Sequence, residues 1–332
     1  MRHLVIGPGA MAFFAFAGAL SALKDLSALN DLEEISGASA GGVLAFMYIV
    51  CKGDTRRLLD WSVDIPIGDA MKPNIKSLIR SFGLVSIKKI RKHIQGVVVE
   101  FLGRTDVTFR ELFEFWPIKL HLSACCVELS TTHYFSVDSS PDMSVIDAIC
   151  MSVAVPFLFE SVSRGPWHYI DGGMLEETPC NPFIGKDSVC IIRMDEWTYG
   201  ADVKDLKTYV TKMLGCVMGL RERYRMFPTI LLNVVDIFDF KASRIAKMKM
   251  FVQAYVSCTN NPPRFSIDRA QMPESEPHTD PSHLEPECAS EVRSRHTSPD
   301  REVSPTHSQP EYTPPRSEDS DASQSVECSD AK

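Results

Sequence analysis

A charge-free run near the start of the chain, Leu4–Leu23, is broken after three apolar residues by Gly7-Pro8-Gly9. Because a proline between two glycines ends a helix but suits a strand that turns into a loop, the run predicts a strand over Leu4–Ile6 and a buried helix from Met11. A signal peptide or a membrane span within residues 1–23 is the alternative. The early break favours the strand and the helix.

Residues 1–260 continue this alternation of short β-like runs and longer helical ones. Alternation over this length predicts a three-layer α/β/α domain with a mainly parallel central sheet. The strand candidates that follow the first are Glu34–Ser36, Lys119–Ala124, His133–Val137, His168–Ile170, Val189–Arg193 and Ile230–Val235, and the helix candidates are Met11–Leu29, Val43–Cys51, Ser86–Leu102 and Val145–Met151.

The net charge of −8 comes from the C-terminal part of the chain. Residues 261–332 hold 15 Asp and Glu against 7 Lys and Arg, which leaves 28 of each sign in residues 1–260. A neutral body lacks the basic field of a nucleic-acid-binding protein, so that class is disfavoured. The final segment holds 11 of the 21 prolines and few apolar residues. This composition predicts a disordered acidic tail, which is a candidate site for a protein partner.

The 10 cysteines form no CxxC pair, and Cys125 and Cys126 are adjacent. In a chain of this length the pattern indicates neither a disulfide framework nor a zinc site. It favours a reducing compartment and thus an intracellular location, with secretion as the alternative if residues 1–23 act as a signal peptide.

A G-x-S-x-G sequence, Gly37-Ala38-Ser39-Ala40-Gly41, follows the second strand candidate. Small residues on either side of a serine allow a sharp strand-to-helix turn that exposes its hydroxyl at a helix N-terminus. We therefore take Ser39 as a candidate nucleophile. The alternative is a glycine-rich loop that only lets a helix pack closely on the sheet.

The glycines after the first strand form a second candidate element. A small-residue loop that opens a helix supplies main-chain N–H groups for an oxyanion, and Gly9 and Ala10 are better donors than Pro8, which has no N–H. A dinucleotide site is the weaker alternative, because the loop lacks the third glycine and a suitably spaced acidic residue.

The third element is Asp171-Gly172-Gly173, which follows a strand candidate. On its own an Asp-Gly-Gly sequence is most often a turn with an Asx-type hydrogen bond. Beside an activated serine, Asp171 would act as the general base that accepts the hydroxyl proton, provided that burial tunes its pKa.

In this order the three elements resemble the patatin-like phospholipase family, over about residues 4–182. The resemblance implies a patatin-like fold in which Ser39 and Asp171 are a catalytic dyad and Gly7, Gly9 and Ala10 lie on the oxyanion loop. It also implies hydrolysis of fatty acyl esters in phospholipids or acylglycerols through an acyl-enzyme, without a metal or other cofactor. The lipid substrate would be met at a membrane surface.

Several positions depart from the family pattern. Pro8, Met11 and Ala12 replace a glycine, a basic residue and a second glycine of the loop, and Glu177 stands where the family often has Asn. The Gly-Pro-Gly-Ala-Met start is similar to that of some members from large DNA viruses. The departures leave open a catalytically weakened lipid-binding or interaction protein. A serine esterase or acyltransferase for small esters is a separate alternative.

Three histidines, His121, His133 and His168, are candidates for a Ser-His-Asp triad, which the resemblance does not require. His168 lies three residues before Asp171 and would point to the opposite face of a strand, so a packing or surface role is favoured.

Two segments are candidates for peripheral membrane contact. In residues 241–251, cations such as Arg244 and Lys247 alternate with apolar residues. This pattern is typical of a helix that lies on a membrane surface, but it is also that of an ordinary surface helix. We favour the second interpretation, in which the segment is the last helix of the domain and packs on the sheet. Asp64–Phe82 is the second candidate, as a lid or a lipid-facing segment.

Overall fold

The computed structural model describes residues 1–195, 227–234 and 237–263, together with Tyr209 and Lys212. The strands are β1 (His3–Ile6), β2 (Glu34–Ala38), β3 (Gly83–Val85), β4 (Lys119–Cys126), β5 (Thr131–Phe135), β6 (Phe157–Phe159), β7 (Val162–Arg164), β8 (Trp167–Asp171), β9 (Val189–Met194) and β10 (Thr229–Leu232). The helices are α1 (Phe13–Asp25), α2 (Ala40–Val50), α3 (Thr55–Val63), α4 (Ile67–Ala70), α5 (Ile75–Ser81), α6 (Ile87–Leu102), α7 (Phe109–Phe115), α8 (Val145–Ser152) and α9 (Arg244–Asn260).

The main sheet has the strand order β10-β9-β1-β2-β4-β8-β7, with β5 on a second edge of β4. The five strands from β10 to β4 are mutually parallel, whereas β5, β7 and β8 run antiparallel to their neighbours. Helices cover both faces of this mixed sheet. The predicted α/β/α fold is therefore confirmed, and the predicted parallel core is flanked by antiparallel strands.

Strand β4 positions the ends of two other strands against each other. Ser123 pairs with Ala38 of β2, and the next residue, Ala124, pairs with Asp171 of β8. The same two β4 residues pair with β5, so β5 must lie on the opposite edge. Because β2 is parallel and β8 antiparallel to β4, their C-terminal ends meet head to head on one edge.

The charge-free N-terminal run is folded into the core as β1 and α1. All three residues of Leu4–Ile6 are fully buried, as is most of α1. A Cβ at Gly18 would lie 2.1 Å from the carbonyl oxygen of Phe251, so this glycine allows α1 and α9 to pack closely. Across the described ranges, no helix has both the length and the apolar character needed to cross a bilayer.

Helix α9 is an integral part of the domain. The side chain of Lys247 is buried, and its ammonium donates hydrogen bonds to the carbonyl oxygens of Val63 (2.9 Å) and Ile65 (3.1 Å) at the end of α3. A cation in this position satisfies carbonyls that a helix end leaves without partners. The favoured interpretation, a last helix packed on the domain, is confirmed.

A small second sheet consists of β3 and β6, which pair in parallel with Gly83 opposite Phe157. The sequence patterns did not predict this sheet. Apart from its first three positions, the predicted tail lies outside the described residues. Its disorder and its partner remain predictions.

Candidate active site

Ser39 sits on a strained turn between β2 and α2. Its φ of 53° and ψ of −126° place it in a region that residues with a side chain rarely occupy. The turn requires the flanking glycines, because a Cβ at Gly37 would lie 2.6 Å from the Cα of Gly42, and one at Gly41 would lie 2.3 Å from the carbonyl oxygen of Ile6. The motif thus has the steric logic that the sequence predicted.

The main chain of Ser39 is held by a residue that the sequence patterns missed. Its N–H donates to the Oγ of Ser152 at 2.9 Å, and Ser152 is the last residue of α8. The N-terminal amides of α2 begin directly after Ser39, so the helix dipole favours negative charge near the serine hydroxyl.

Asp171 is the last residue of β8, and its side chain is only 2% exposed. Its Oδ1 accepts a hydrogen bond from the N–H of Gly173 at 2.8 Å, whereas Oδ2 has no hydrogen-bond partner among the described residues. Burial raises the pKa of Asp171 from 3.8 to about 7, and the Ser39 hydroxyl and the Gly173 amide oppose this shift. A carboxylate that titrates near neutrality suits a general base.

The sheet register brings Ser39 and Asp171 together although 132 positions separate them in the chain. Ser39 directly follows Ala38, and Asp171 pairs with the β4 residue next to the partner of Ala38. The Ser39 hydroxyl is close enough to the carboxylate to lower its pKa. The Asp-Gly-Gly turn packs tightly here, since a Cβ at Gly172 would lie 2.3 Å from the carbonyl oxygen of Ser123.

The loop after β1 offers fewer free donors than its glycine count suggests. The N–H of Gly7 donates to the carbonyl of Ile192 at 2.9 Å and therefore extends the β1–β9 pairing. Among the described residues, the N–H groups of Gly9 and Ala10 donate to no main-chain carbonyl outside the local helix. A Cβ at Gly9 would lie 2.7 Å from ring carbons of Phe16, so any larger residue there would require the ring to move.

An apolar pocket of about 140 Å³ opens beside these groups. Ser39 and Ala10 both line it, so the candidate nucleophile and the loop with the candidate oxyanion donors border the same space. The polar side chains in its wall are Ser39, Ser62 and His93. The other lining residues are Met11, Phe13, Phe14, Ala40, Val43, Met47, Trp61, Ile65, Ile67, Met71, Ile90, Ile94, Val153, Val155, Phe159 and Phe240.

The family model for patatin-like phospholipases matches residues 4–184, which is more than half of the chain. The chain belongs to the patatin-like phospholipase family. This confirms the resemblance that the three motifs indicated, and the match includes Ser39, Asp171 and the loop after β1.

Two viral proteins are similar to this patatin-like chain over slightly more than half of its length. One is "Probable lipid hydrolase 463L" of Invertebrate iridescent virus 6, 26% identical over 184 residues, and the other is "Uncharacterized protein R571" of Acanthamoeba polyphaga mimivirus, 24% identical over 187 residues. The matches cover 54% and 55% of this chain and 61% of each relative. The matched region thus spans about three fifths of the length of these relatives.

Two solved structures are also similar. VipD from Legionella pneumophila aligns with a TM-score of 0.48 at 14% identity, covering 78% of this chain and 66% of VipD. The type III effector ExoU, from Pseudomonas aeruginosa, aligns with a TM-score of 0.39 at 16% identity, covering 78% of this chain and 52% of ExoU.

Two residues that depart from the patatin-like pattern, Met11 and Glu177, are both buried. Met11 is 2% exposed and packs in an apolar cluster with Phe14 and Leu59, where a cation would replace apolar contacts. Glu177 is buried and forms an ion pair with Arg193 at 3.8 Å. The Cβ position of Gly7 is 3.2 Å from the Cβ of Arg193, so this pair lies against the start of the loop.

The histidines weighed from the sequence are engaged elsewhere. His121 Nε2 lies 2.8 Å from Glu34, His133 Nδ1 lies 3.0 Å from the Tyr169 hydroxyl, and His168 Nδ1 lies 2.6 Å from Glu128. None of the three lines the pocket that contains Ser39. The histidine that does is His93 on α6, which the sequence patterns missed, and burial lowers its pKa.

Proposed function

We propose that this patatin-like chain is a lipid acyl hydrolase, of phospholipase A or lipase type, in which Ser39 is the nucleophile and Asp171 the general base. The observation that carries the proposal is the position of Ser39. Ser39 lines an apolar pocket, and its hydroxyl is close enough to the buried Asp171 carboxylate to lower the pKa of that group. An apolar cavity with few polar groups suits a fatty acyl chain and its ester carbonyl.

The first half of the reaction forms an acyl-enzyme. Asp171 takes the proton of the Ser39 hydroxyl while Oγ attacks the ester carbonyl carbon, and the carbonyl oxygen becomes an oxyanion. In this mechanism the amides of Gly9 and Ala10, together with the N-terminus of α2, stabilise that charge. Collapse of the intermediate breaks the ester C–O bond, and the leaving alkoxide takes the proton from Asp171.

The second half regenerates the enzyme. Asp171 accepts a proton from water, whose oxygen attacks the acyl carbon, and the Ser39 oxygen leaves and regains that proton. The pKa near 7 allows the same carboxyl group to accept and return a proton at neutral pH. The chemistry needs no histidine, which fits the positions of His121, His133 and His168.

Fatty-acid release from phospholipid vesicles tests the proposal. We expect Ser39→Ala and Asp171→Asn each to lower the rate by roughly 10³-fold or more, as losses of a nucleophile or its base do. Ser62→Ala is the matched control, because Ser62 lines the same pocket and should retain near wild-type activity. Equal release by wild type and Ser39→Ala would contradict the assignment.

Met11 favours one competing function, a lipid-binding protein with a weakened oxyanion loop, because it puts an uncharged side chain where the family pattern has a basic residue. The same assay separates the two. Vesicle binding without fatty-acid release above the Ser39→Ala background would support the binding protein instead of the hydrolase.

A further inference from the structure

Four large apolar side chains of one surface region are exposed to solvent. Ile75, Ile79, Phe82 and Phe157 are 72%, 78%, 61% and 50% exposed, and we call them the apolar patch. Ile75 and Ile79 lie one turn apart on α5, and Phe82 follows three residues later. Gly83, the next residue, pairs with Phe157. Clustered exposure of this kind marks an interaction surface, whereas single exposed apolar residues are ordinary.

Both aromatic residues of the apolar patch have an unfavourable backbone conformation. Phe82 has a φ of 61° and Phe157 a φ of 66°, in the left-handed region where glycine or asparagine is preferred. Neither ring gains full burial in return. Folding stability alone would select small or polar residues at these positions, so the two rings indicate a role outside the isolated domain.

The segment around the apolar patch is strongly basic. Residues 71–92 contain no Asp or Glu, and seven of them are Lys or Arg. Lys72, Lys76 and Arg80 are exposed and are interleaved with the residues of the patch. Since residues 1–260 are neutral as a whole, this is a local concentration of positive charge.

Two acidic side chains that adjoin the segment are already engaged. Glu128 accepts hydrogen bonds from the main-chain N–H and the ring of His168, and His168 in turn makes an edge contact with Phe82. Glu160 accepts from the hydroxyl of Ser86 and the N–H of Ile87. These contacts engage both carboxylates with partners other than Lys72, Lys76 and Arg80.

The segments that carry the apolar patch also contribute residues to the pocket that contains Ser39. Met71, four residues before Ile75, lines the pocket, and so does Phe159 on the same short strand as Phe157. A lipid that is bound at the patch would thus lie against segments that also line the pocket.

We propose that the apolar patch inserts into the surface of an anionic lipid membrane, while Lys72, Lys76 and Arg80 bind its headgroups. The proposal rests on the proposed function, in that the membrane supplies the substrate. Exposed apolar anchors flanked by cations match the apolar interior and the negative surface of such a membrane. Of the two segments considered from the sequence, this assigns Asp64–Phe82 rather than α9.

Sedimentation with phosphatidylcholine vesicles, with and without phosphatidylserine, tests the proposal on the full chain carrying Ser39→Ala, which prevents hydrolysis during the measurement. We expect Ile79→Ser and Phe82→Gly each to weaken partitioning by about tenfold, and Lys76→Gln and Arg80→Gln by about fivefold each on anionic vesicles. Ile245→Ser is the matched control, because Ile245 is 82% exposed but lies on α9.

Phe82→Gly gives an internal check on folding. Since glycine prefers the left-handed backbone that Phe82 adopts, this variant should melt at the same temperature as the parent or higher while it binds vesicles more weakly. Loss of binding in a more stable protein cannot come from unfolding.

Unchanged partitioning of the patch variants would overturn the proposal. The proposal would also be overturned if the patch variants lost binding to polyglutamate but bound vesicles as well as the parent does. That result would assign the surface to an acidic protein partner. Fluorophosphonate labelling in lipid-free buffer tests the proposed function separately, and the same patch substitutions made in a chain that retains Ser39 should label at the wild-type rate. Vesicle binding through the patch by a protein that does not label would support the docking surface and contradict the hydrolase alone.

Discussion

Substitution of Asp171 by asparagine is expected to make the protein inactive and more stable. Asparagine has the shape of aspartate and keeps an oxygen that accepts from the Gly173 amide, but it has no charge to bury. The wild-type carboxylate is almost fully buried, with one oxygen that has no hydrogen-bond partner in the described part of the chain. The fold therefore bears the free-energy cost of ionising it.

The pH dependence follows from the direction of the pKa shift. The pKa of Asp171 is about 7 in the folded protein and 3.8 without the protein environment. Between these values the native state holds a proton that the unfolded state has released, so wild-type stability falls as pH rises through this window. A pKa difference of about three corresponds to a loss on the order of 4 kcal/mol at pH values above about 7.

Urea unfolding of wild type and Asp171→Asn between about pH 4 and pH 8 measures this loss. The advantage of the variant in free energy of unfolding should grow by about 4 kcal/mol across the range. The difference between the two proteins removes the contributions of other titrating groups. Asp142→Asn is a control at an exposed site, since the side chain of Asp142 is 81% exposed. An advantage of Asp171→Asn that is independent of pH would refute the reasoning.

Three further predictions concern the site and its supports. Because Asp171 must be ionised to act as a base, the hydrolysis rate should fall about tenfold per pH unit below 7, and a rate that is constant from pH 5 to 8 would contradict this role. In denaturant titrations, Gly41→Ala should lower the free energy of unfolding by about 3 kcal/mol, because the new Cβ would lie 2.3 Å from a backbone oxygen. Gly96→Ala is the control and should not destabilise α6, because the nearest atom to its new Cβ is 3.9 Å away. Lys247→Met leaves the two carbonyls at the end of α3 without their donor and should cost about 2 kcal/mol by the same measurement, against less than about 0.5 for the exposed Lys249→Met.

The sequence predicted those parts of the site that depend on local sterics. Glycines at 37 and 41 around a serine, and a proline between glycines after a short apolar run, restrict the backbone within a few residues, so the turns at Ser39 and after β1 followed from them. The α/β alternation likewise depends on periodicity within single elements.

Pairing over long range was beyond the sequence patterns. That β2 and β8 meet head to head on one edge of β4 depends on an antiparallel register between residues more than 40 positions apart. The same kind of pairing decides that the Gly7 amide bonds to Ile192 and is not a free donor. Strands β3 and β6 have three residues each, too few for a periodic signal.

The sequence patterns did not indicate the positions of two side chains. Lys247 occupies a position typical of a basic exposed face, yet it is buried because the end of α3 offers two carbonyl oxygens. His93 belongs to a helix whose apolar spacing accounts for its neighbours, so nothing local indicated that it would line the pocket with Ser39.

Covalent labelling of the full chain with a fluorophosphonate, followed by mass-spectrometric mapping of the adduct, tests the assignment of the nucleophile most directly. The account predicts one adduct, on Ser39, which is absent from Ser39→Ala and forms far more slowly in Asp171→Asn. An adduct on another serine, or a folded protein that does not react at all, would contradict it.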